Sequence, residues 1–378
     1  MRVGLSFWGF QGDVKIGPGG EELSTPDGNA TYTWSLIWEM QKRGHTVYAM
    51  QEDRDWHGFR RWGSGLFGSF SQEKRTSAYT NIKNTFGSSE ILPNLDVLLI
   101  EWRFPIPGRN CEINKETGEI LFPEHESQRG LLDEKYQRDL FRQTQILHHY
   151  KQSHTRIIFW DLDHKLTKAD EIRWMPDAIF ETSTSPLELS KKRVSVEPPF
   201  NIPDLLQHPT IPQDPNRKLV YIGSRYERDD IIDEWIKPVS EEYQNQVEFH
   251  GKWDDEAKVR WPNIKMGQRC TVRDFQGLYA SACAVPLLAK KSYLETGFIT
   301  PRVWEALLFG TLPVGLGTAK GIEKYTTLIA NDSSNMKEIV NELSKQPIER
   351  RGTLRRDMVE RLEFMDAKYF VDKIEEVL

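Results

Sequence analysis

Two charged residues stand inside an apolar segment of the stretch 294–317, LETGFITPRVWEALLFGTLPVGLG, where Arg302 and Glu305 are surrounded by Val303, Trp304, Ala306, Leu307, Leu308 and Phe309. Pro301 marks a helix start, because its missing N–H costs nothing there and its φ is preset. Three residues apart, Arg302 and Glu305 share a helix face. They can pair with each other at the helix edge, or present a carboxylate and a guanidinium to a polar ligand. A carboxylate suits a vicinal diol, and a helix start suits phosphate. Glu295, Gly297 and Thr300 lie in the loop before this helix, and Gly310 and Pro313 punctuate the turn into a strand.

A second group lies in RIIFWDLDHKL, residues 156–166, where an apolar strand delivers Asp161, Asp163 and His164 to its carboxyl end. Asp161 and Asp163 project to one side of an extended chain and can hold a divalent cation. Alternatively Asp163 accepts or orients the proton of a hydroxyl, with His164 as its partner, or simply caps the following loop. Gly223-Ser224-Arg225 and Gly251-Lys252 end two further apolar runs. Glycine lets a backbone approach phosphate closely, and Arg225 and Lys252, with Arg228 as a substitute for Arg225, can neutralise charge on a diphosphate leaving group. In EWRFPIPGRN, residues 101–110, a Pro-x-Pro turn separates Arg103 from Arg109. They either meet sugar or phosphate or pair with Glu101. Between Trp56 and Tyr79 aromatic and basic residues interleave, with Arg60, Arg61 and Trp62 at the centre and glycines throughout. Such a loop can stack on a base and neutralise its phosphates, or stack on a saccharide.

The elements that must carry these groups alternate. Strands are expected at 2–7, 46–50, 96–101, 156–160, 178–181 and 194–196, with a helix over 31–43 closed by Gly44. A second set follows at 218–222, 247–250, 282–288, 312–315 and 327–330. Alternation of this kind predicts an α/β fold with two Rossmann-like domains facing each other across a cleft. The glycine-rich loop after the first strand lacks G-x-G-x-x-G, which argues against a dinucleotide site. Residues 198–215 contain six prolines and read as a linker. The expected division is 1–197, an acceptor domain; 198–216, the linker; 217–353, a donor domain; and 354–378, a helical segment that crosses back to the first domain.

The 378 residues suffice for two cores, and 38% hydrophobic with 28% charged residues is ordinary for a globular protein. No apolar run has the length of a membrane span, and MRVGLSFWGF passes straight into polar sequence, so a cytoplasmic protein without a membrane partner is expected. Cys111, Cys270 and Cys283 have no metal-ligand spacing. A net charge of −6 argues against a broad nucleic-acid surface and requires any such contact to rest on a local patch.

The pattern G-x-x-T-x-R-x-W-E-A-L-x-x-G-T-L-P-V, from Gly297 to Val314, resembles the donor-site signature of GT-B nucleotide-sugar glycosyltransferases. The resemblance implies that Glu305 accepts hydrogen bonds from the donor ribose while the helix start faces the diphosphate. Gly223, Ser224, Arg225, Lys252, Thr300 and Arg302 would complete the donor site. The family's usual second Glu, eight positions before Glu305, is Gly297 here, and Glu295 lies ten positions back. The Thr-x-Arg spacing is similar to that of the spore-coat maturation glycosyltransferases. The Asp163-His164 pair, DAIFETS, YIGSR, EFHGK and EALLFGTLPV resemble segments of the phage DNA α-glucosyltransferases. This implies transfer from a UDP-sugar, UDP-glucose above all, with retention of configuration and no essential metal, by a monomer. The implied acceptor is a hydroxymethylated pyrimidine in double-stranded DNA, with Arg60, Arg61, Trp62, Arg103 and Arg109 on the acceptor side and Asp163 and His164 as catalytic residues. A cell-surface, spore or small-molecule acceptor is the alternative that the acidic net charge favours. A sugar-binding protein that kept the fold without catalysis is the third.

Overall fold

The computed structural model describes residues 1–7, 28–50, 92–102, 112–113, 120–121, 143, 146–162, 164–182, 192–206, 208–268, 270 and 272–378. Six strands form the first sheet: β1 (Arg2–Ser6), β2 (Thr46–Ala49), β3 (Val97–Glu101), β4 (Arg156–Asp161), β5 (Ala178–Glu181) and β6 (Arg193–Ser195). They lie in the order β2-β1-β3-β4-β5-β6, and every neighbouring pair is parallel. Parallel strands covered on both faces read as unbroken apolar runs. β3, VLLIE, is such a run and is buried at every residue. Helix α1 (Gly28–Lys42) connects β1 to β2, and Gly44 follows in the left-handed region at φ 79°.

The second sheet contains β7 (Leu219–Ile222), β8 (Val247–His250), β9 (Ile264–Gly267), β10 (Val285–Pro286), β11 (Pro313–Leu316) and β12 (Ile329–Ala330). Its two three-stranded parts are joined by a parallel bridge between Leu219 and Ala284, and the Val220 N–H donates to the Ala284 carbonyl at 3.2 Å. The resulting order is β9-β8-β7-β10-β11-β12. β9 was not expected from the sequence, because an edge strand reading IKMG buries only Ile264 fully and carries no apolar run. The expected strand at 282–288 is reduced to Val285–Pro286.

Four helices bear on the site: α2 (Lys291–Thr296), α3 (Arg302–Leu308), α4 (Ile348–Arg361) and α5 (Ala367–Glu375). Pro301 caps α3, which buries Val303, Trp304, Ala306, Leu307 and Leu308. The proline-rich stretch is anchored in the core. Phe200 bridges to Asp366, and Leu205 is fully buried in the short 3-10 helix Ile202–Leu206. Buried Arg355 of α4 donates to the carbonyls of Leu307 at 2.6 Å, Leu205 at 2.6 Å and His208 at 2.5 Å. It thereby ties the end of α3 to this stretch, and burial pulls its own pKa down to about 10.

The chain's last helix returns to the first sheet. Arg43 donates to Asp372 at 2.6 Å and to Glu375 at 3.0 Å, while His45 Nε2 lies 2.8 Å from Glu375. Phe370 of α5 packs edge-on against Trp160 of β4 and Phe180 of β5 at 5.1 and 5.3 Å. Among the described residues no helix is long and apolar enough to cross a membrane.

Candidate active site

In an open parallel sheet, ligands bind beyond the carboxyl ends of the strands, where the strand order reverses. In the second sheet that point lies between β7 and β10. A pocket of about 720 Å³ sits there, lined by Arg225, Tyr226, Glu227, Asp229 and Asp230 after β7, Asp254 after β8, and Lys290, Lys291 and Ser292 after β10. Its charges are mixed. Arg225 is bonded to Asp229 at 2.5 Å, Asp254 at 2.9 Å and Glu256 at 3.0 Å, and its guanidinium lies over the Trp261 ring at 5.6 Å. A ligand phosphate would therefore compete with three carboxylates for Arg225. Lys290 reaches Glu227 at 3.6 Å and stacks on Tyr293 at 4.4 Å.

Beside the pocket, two glycine turns and the start of α3 pack together. The Gly223 N–H donates to the His250 carbonyl at 2.8 Å. Gly251 has φ +143°, and a Cβ built on it would stand 2.0 Å from the Gly223 carbonyl oxygen. A Cβ on Gly223 would meet Arg302 Nη2 and the Tyr221 hydroxyl, each at 2.7 Å. Glycine is required at both positions by close approach. Ser224 and Lys252 are exposed, whereas Thr300 is buried and Glu305 half-buried. Arg302 donates its Nε–H to the Ile222 carbonyl at 2.9 Å and lies over the Tyr221 ring at 5.0 Å. Burial works against its charge, but Tyr221, Glu305, Tyr279 and Tyr32 outweigh that cost and raise its pKa. Arg302 thus binds α3 to the end of β7, a use that the simple Arg302–Glu305 pairing did not include. Arg228 is buried beneath the turn and donates to the Tyr226 carbonyl at 2.6 Å.

The first sheet presents a different edge. Asp161, the last residue of β4, is buried, and its Oδ1 accepts the backbone N–H groups of Lys165 at 2.7 Å and Leu166 at 3.1 Å. Loop capping, weighed for Asp163, is performed by Asp161. Its carboxylate is turned into the protein rather than toward an open cation site. Burial pushes its pKa up to about 6. His164 follows in the left-handed region at φ 54°, with Nδ1 3.3 Å from Glu181 Oε1. Arg193 Nη1 lies 3.0 Å from Glu181 Oε2 and 3.9 Å from Asp161 Oδ2, and its Nη2 bonds Glu171. Among the described residues no group of three His, Cys, Asp or Glu is arranged to hold a metal ion.

The two edges meet. The His164 ring stands 6.4 Å from Phe298 at an interplanar angle of 85°, and Phe298 lies in the loop that leads to Thr300 and α3. Tyr32 of α1 packs on Trp304 of α3 at 5.1 Å. Asp163, Arg60, Arg61, Trp62, Arg103 and Arg109 lie outside the described residues. Sequence reasoning passed over Glu181, Arg193, Tyr221, Lys290 and Lys291. Glu181 carried a readable signal, as a charged residue ending the buried run AIFE. Arg193 carried none, since basic residues are common at strand starts.

No family model matches the chain, and no curated protein does. Solved structures do. Over 100% of this chain and 99% of the other, the molecule is similar, at TM-score 0.58 and 12% identity, to an α-glucosyltransferase in complex with UDP and a 13-mer DNA containing an HMU base. It is similar over 100% of this chain and 98% of the other, at TM-score 0.55 and 12% identity, to an α-glucosyltransferase in complex with UDP-glucose and DNA containing an abasic site. A Thermobaculum terrenum O-GlcNAc transferase matches at TM-score 0.52 and 11% identity, over 100% of this chain and 66% of the other. The fold is GT-B. In a GT-B molecule the pocket at the β7–β10 switch point and the β4–β5 edge lie on opposite sides of one cleft, and here His164 and Phe298 join them.

Proposed function

We propose that this GT-B chain is a nucleotide-sugar glycosyltransferase that moves glucose from UDP-glucose to the hydroxymethyl group of a modified pyrimidine in double-stranded DNA. The observation that carries this reading is the full-length likeness in fold to two α-glucosyltransferases whose structures hold UDP or UDP-glucose together with DNA. In this reading the Gly223-Ser224 and Gly251-Lys252 turns approach the diphosphate, because only glycine leaves room for backbone N–H groups there. Glu305 accepts the ribose hydroxyls, Thr300 and Arg302 fix the start of α3, and Lys252, Lys290 and Lys291 supply positive charge. Arg225, held by three carboxylates, orders the turn more than it neutralises the ligand.

Across the cleft, Asp163 and His164 attend the acceptor hydroxyl. Arg60, Arg61, Trp62, Arg103 and Arg109 are assigned to the DNA side, where a base extruded from the duplex needs stacking and phosphate neutralisation. Closure around the cleft excludes water and limits hydrolysis of the donor. Transfer with retention, without an essential metal and by a monomer, completes the proposal. Incubation with a panel of nucleotide sugars and duplexes with or without hydroxymethylated pyrimidine, followed by mass analysis of the nucleosides, tests it. One added hexose, only on the hydroxymethylated nucleoside, is expected. Donor turnover that needs a non-DNA acceptor instead establishes the second reading, which the net charge of −6 favours. No donor turnover with any acceptor leaves a sugar-binding protein.

A further inference from the structure

Behind His164 lies a charged cluster that the transfer reaction, as described above, does not use. Asp161 comes from β4, Glu181 from β5, Arg193 from β6 and Glu171 from the helix Lys168–Trp174. The side chains of Asp161 and Glu181 are each 1% exposed, Arg193 is 3% exposed and His164 is 11% exposed. Three carboxylates face one guanidinium. Buried charge of this kind persists only when it is paired, and among the described residues the cluster is two positive charges short, one of which a protonated His164 supplies. Lys165 adjoins it on the loop, and Phe298, the residue facing it from the second sheet, is apolar. His164 is the described titratable group whose ring enters the cluster.

We infer that Glu181, braced by Arg193, is a positioning residue that holds the Nδ1–H of His164, so that His164 meets a substrate oxygen through its Nε2–H as a donor and not as a base. What His164 meets rests on the glycosyltransferase reading; the Glu181–His164 pair rests on geometry. A carboxylate beside one ring nitrogen fixes what the other presents; Nδ1 stands 3.3 Å from Glu181 Oε1 as an ion-pair contact, and among the described residues both ring nitrogens are buried without a partner in hydrogen-bond geometry. The left-handed backbone at His164 turns the ring back toward β5 at a position that a non-glycine residue seldom adopts. Burial works against the imidazolium, but Glu181 and Asp161 overcome it and raise the His164 pKa. Above a pH of about 6, to which burial raises its pKa, the Asp161 carboxylate is charged and accepts two backbone N–H groups, which favours the proton on the ring. The transfer then loses activity as pH rises and His164 deprotonates, whereas a general base would lose it as pH falls.

The test is ¹³C NMR of protein labelled at histidine, with the His164 signal assigned by its loss in His164→Gln. In the unaltered protein His164 is expected to stay protonated above the ordinary imidazole range. In Glu181→Gln its midpoint falls by about one pH unit or more, a tenfold loss of proton affinity. Glu171→Gln, which removes a carboxylate that touches Arg193 but not His164, moves it far less. The alkaline limb of kcat/KM follows the same midpoint in each variant. An ordinary midpoint for His164, an equal response to both variants, or activity lost on the acid side overturns the inference. If Glu181→Gln does not fold, the titration of the unaltered protein still decides. If the NMR midpoints behave as stated but no transfer is found with any acceptor, the functional reading fails and the Glu181–His164 pair stands.

Discussion

The two carboxyl edges of this molecule solve opposite problems. At the end of β4 and β5, side chains do the work: Asp161, Glu181, Arg193 and His164 are buried together and compensate one another's charge. At the end of β7 and β8, side chains are removed, and Gly223 and Gly251 bring two backbones into contact under Arg302. On the reading proposed above, the first arrangement controls a proton, and the second makes room for a ligand that backbone groups recognise. A chain with both can divide one reaction between a half that grips and a half that directs.

The largest effect that can break this comparison is expected from Arg193→Leu. Removing the one guanidinium that, among the described residues, serves buried Asp161 and Glu181 and half-buried Glu171 should cost about 3–5 kcal/mol in chemical unfolding. UDP affinity, assigned in the proposed function to the other edge, should change little in the fraction that remains folded. A parallel loss of UDP affinity would show that the edges are not separate devices. Gly251→Ala reverses the pattern. Its Cβ falls 2.0 Å from a carbonyl oxygen, and the backbone must shift at a cost of about 1–3 kcal/mol. Calorimetry should record UDP affinity at least tenfold weaker, while the His164 titration is unchanged.

The two sheets should also respond to acid with opposite signs. Asp161 has its pKa raised to about 6 by burial, so its contribution is fully present below the unfolded value near 4 and is lost as pH rises through 6. Glu248 of β8 behaves in reverse. Against the cost of burial, His250, Arg217 and Lys265 hold its pKa down to about 2, so its contribution is present above the unfolded value of about 4.5 and fades as pH falls toward 2. Each is worth on the order of 3 kcal/mol. Unfolding free energies of Asp161→Asn and Glu248→Gln measured from pH 3 to 7 should therefore diverge, and curves of the same slope would contradict the assignment. The smallest stability effect is expected from Lys252→Ala. The residue is exposed, so stability should stay within about 0.5 kcal/mol while UDP affinity falls severalfold.

The sequence revealed this division unevenly, for physical reasons. Buried parallel strands announce themselves as apolar runs, so eleven of the fourteen strands among the described residues could be placed; the short edge strand β9 and the two-residue antiparallel pair Glu112–Ile113 and Ile120–Leu121 lack such a run. Glycine turns and the start of α3 were legible because Gly, Pro and a charge inside an apolar helix are each uncommon. Arg225 read as a phosphate ligand because its spacing is local, whereas two of its three carboxylate partners, Asp254 and Glu256, are brought in by folding, and Asp229 lies four residues on. Arg193 and Glu171 were invisible for the same reason, since ion pairs across 22 residues leave no periodic trace.

Trp160 and Phe180, in the heart of the amino-terminal sheet, receive Phe370 as a neighbour. During synthesis that aromatic surface must wait until residue 370 has left the ribosome, long after the strands it covers. The half made first is thus the half finished last, and His164, four residues beyond Trp160, acquires its final surroundings only when the tail docks. Termination shortly before Phe370 would leave the first sheet without this partner even though none of its own residues is missing.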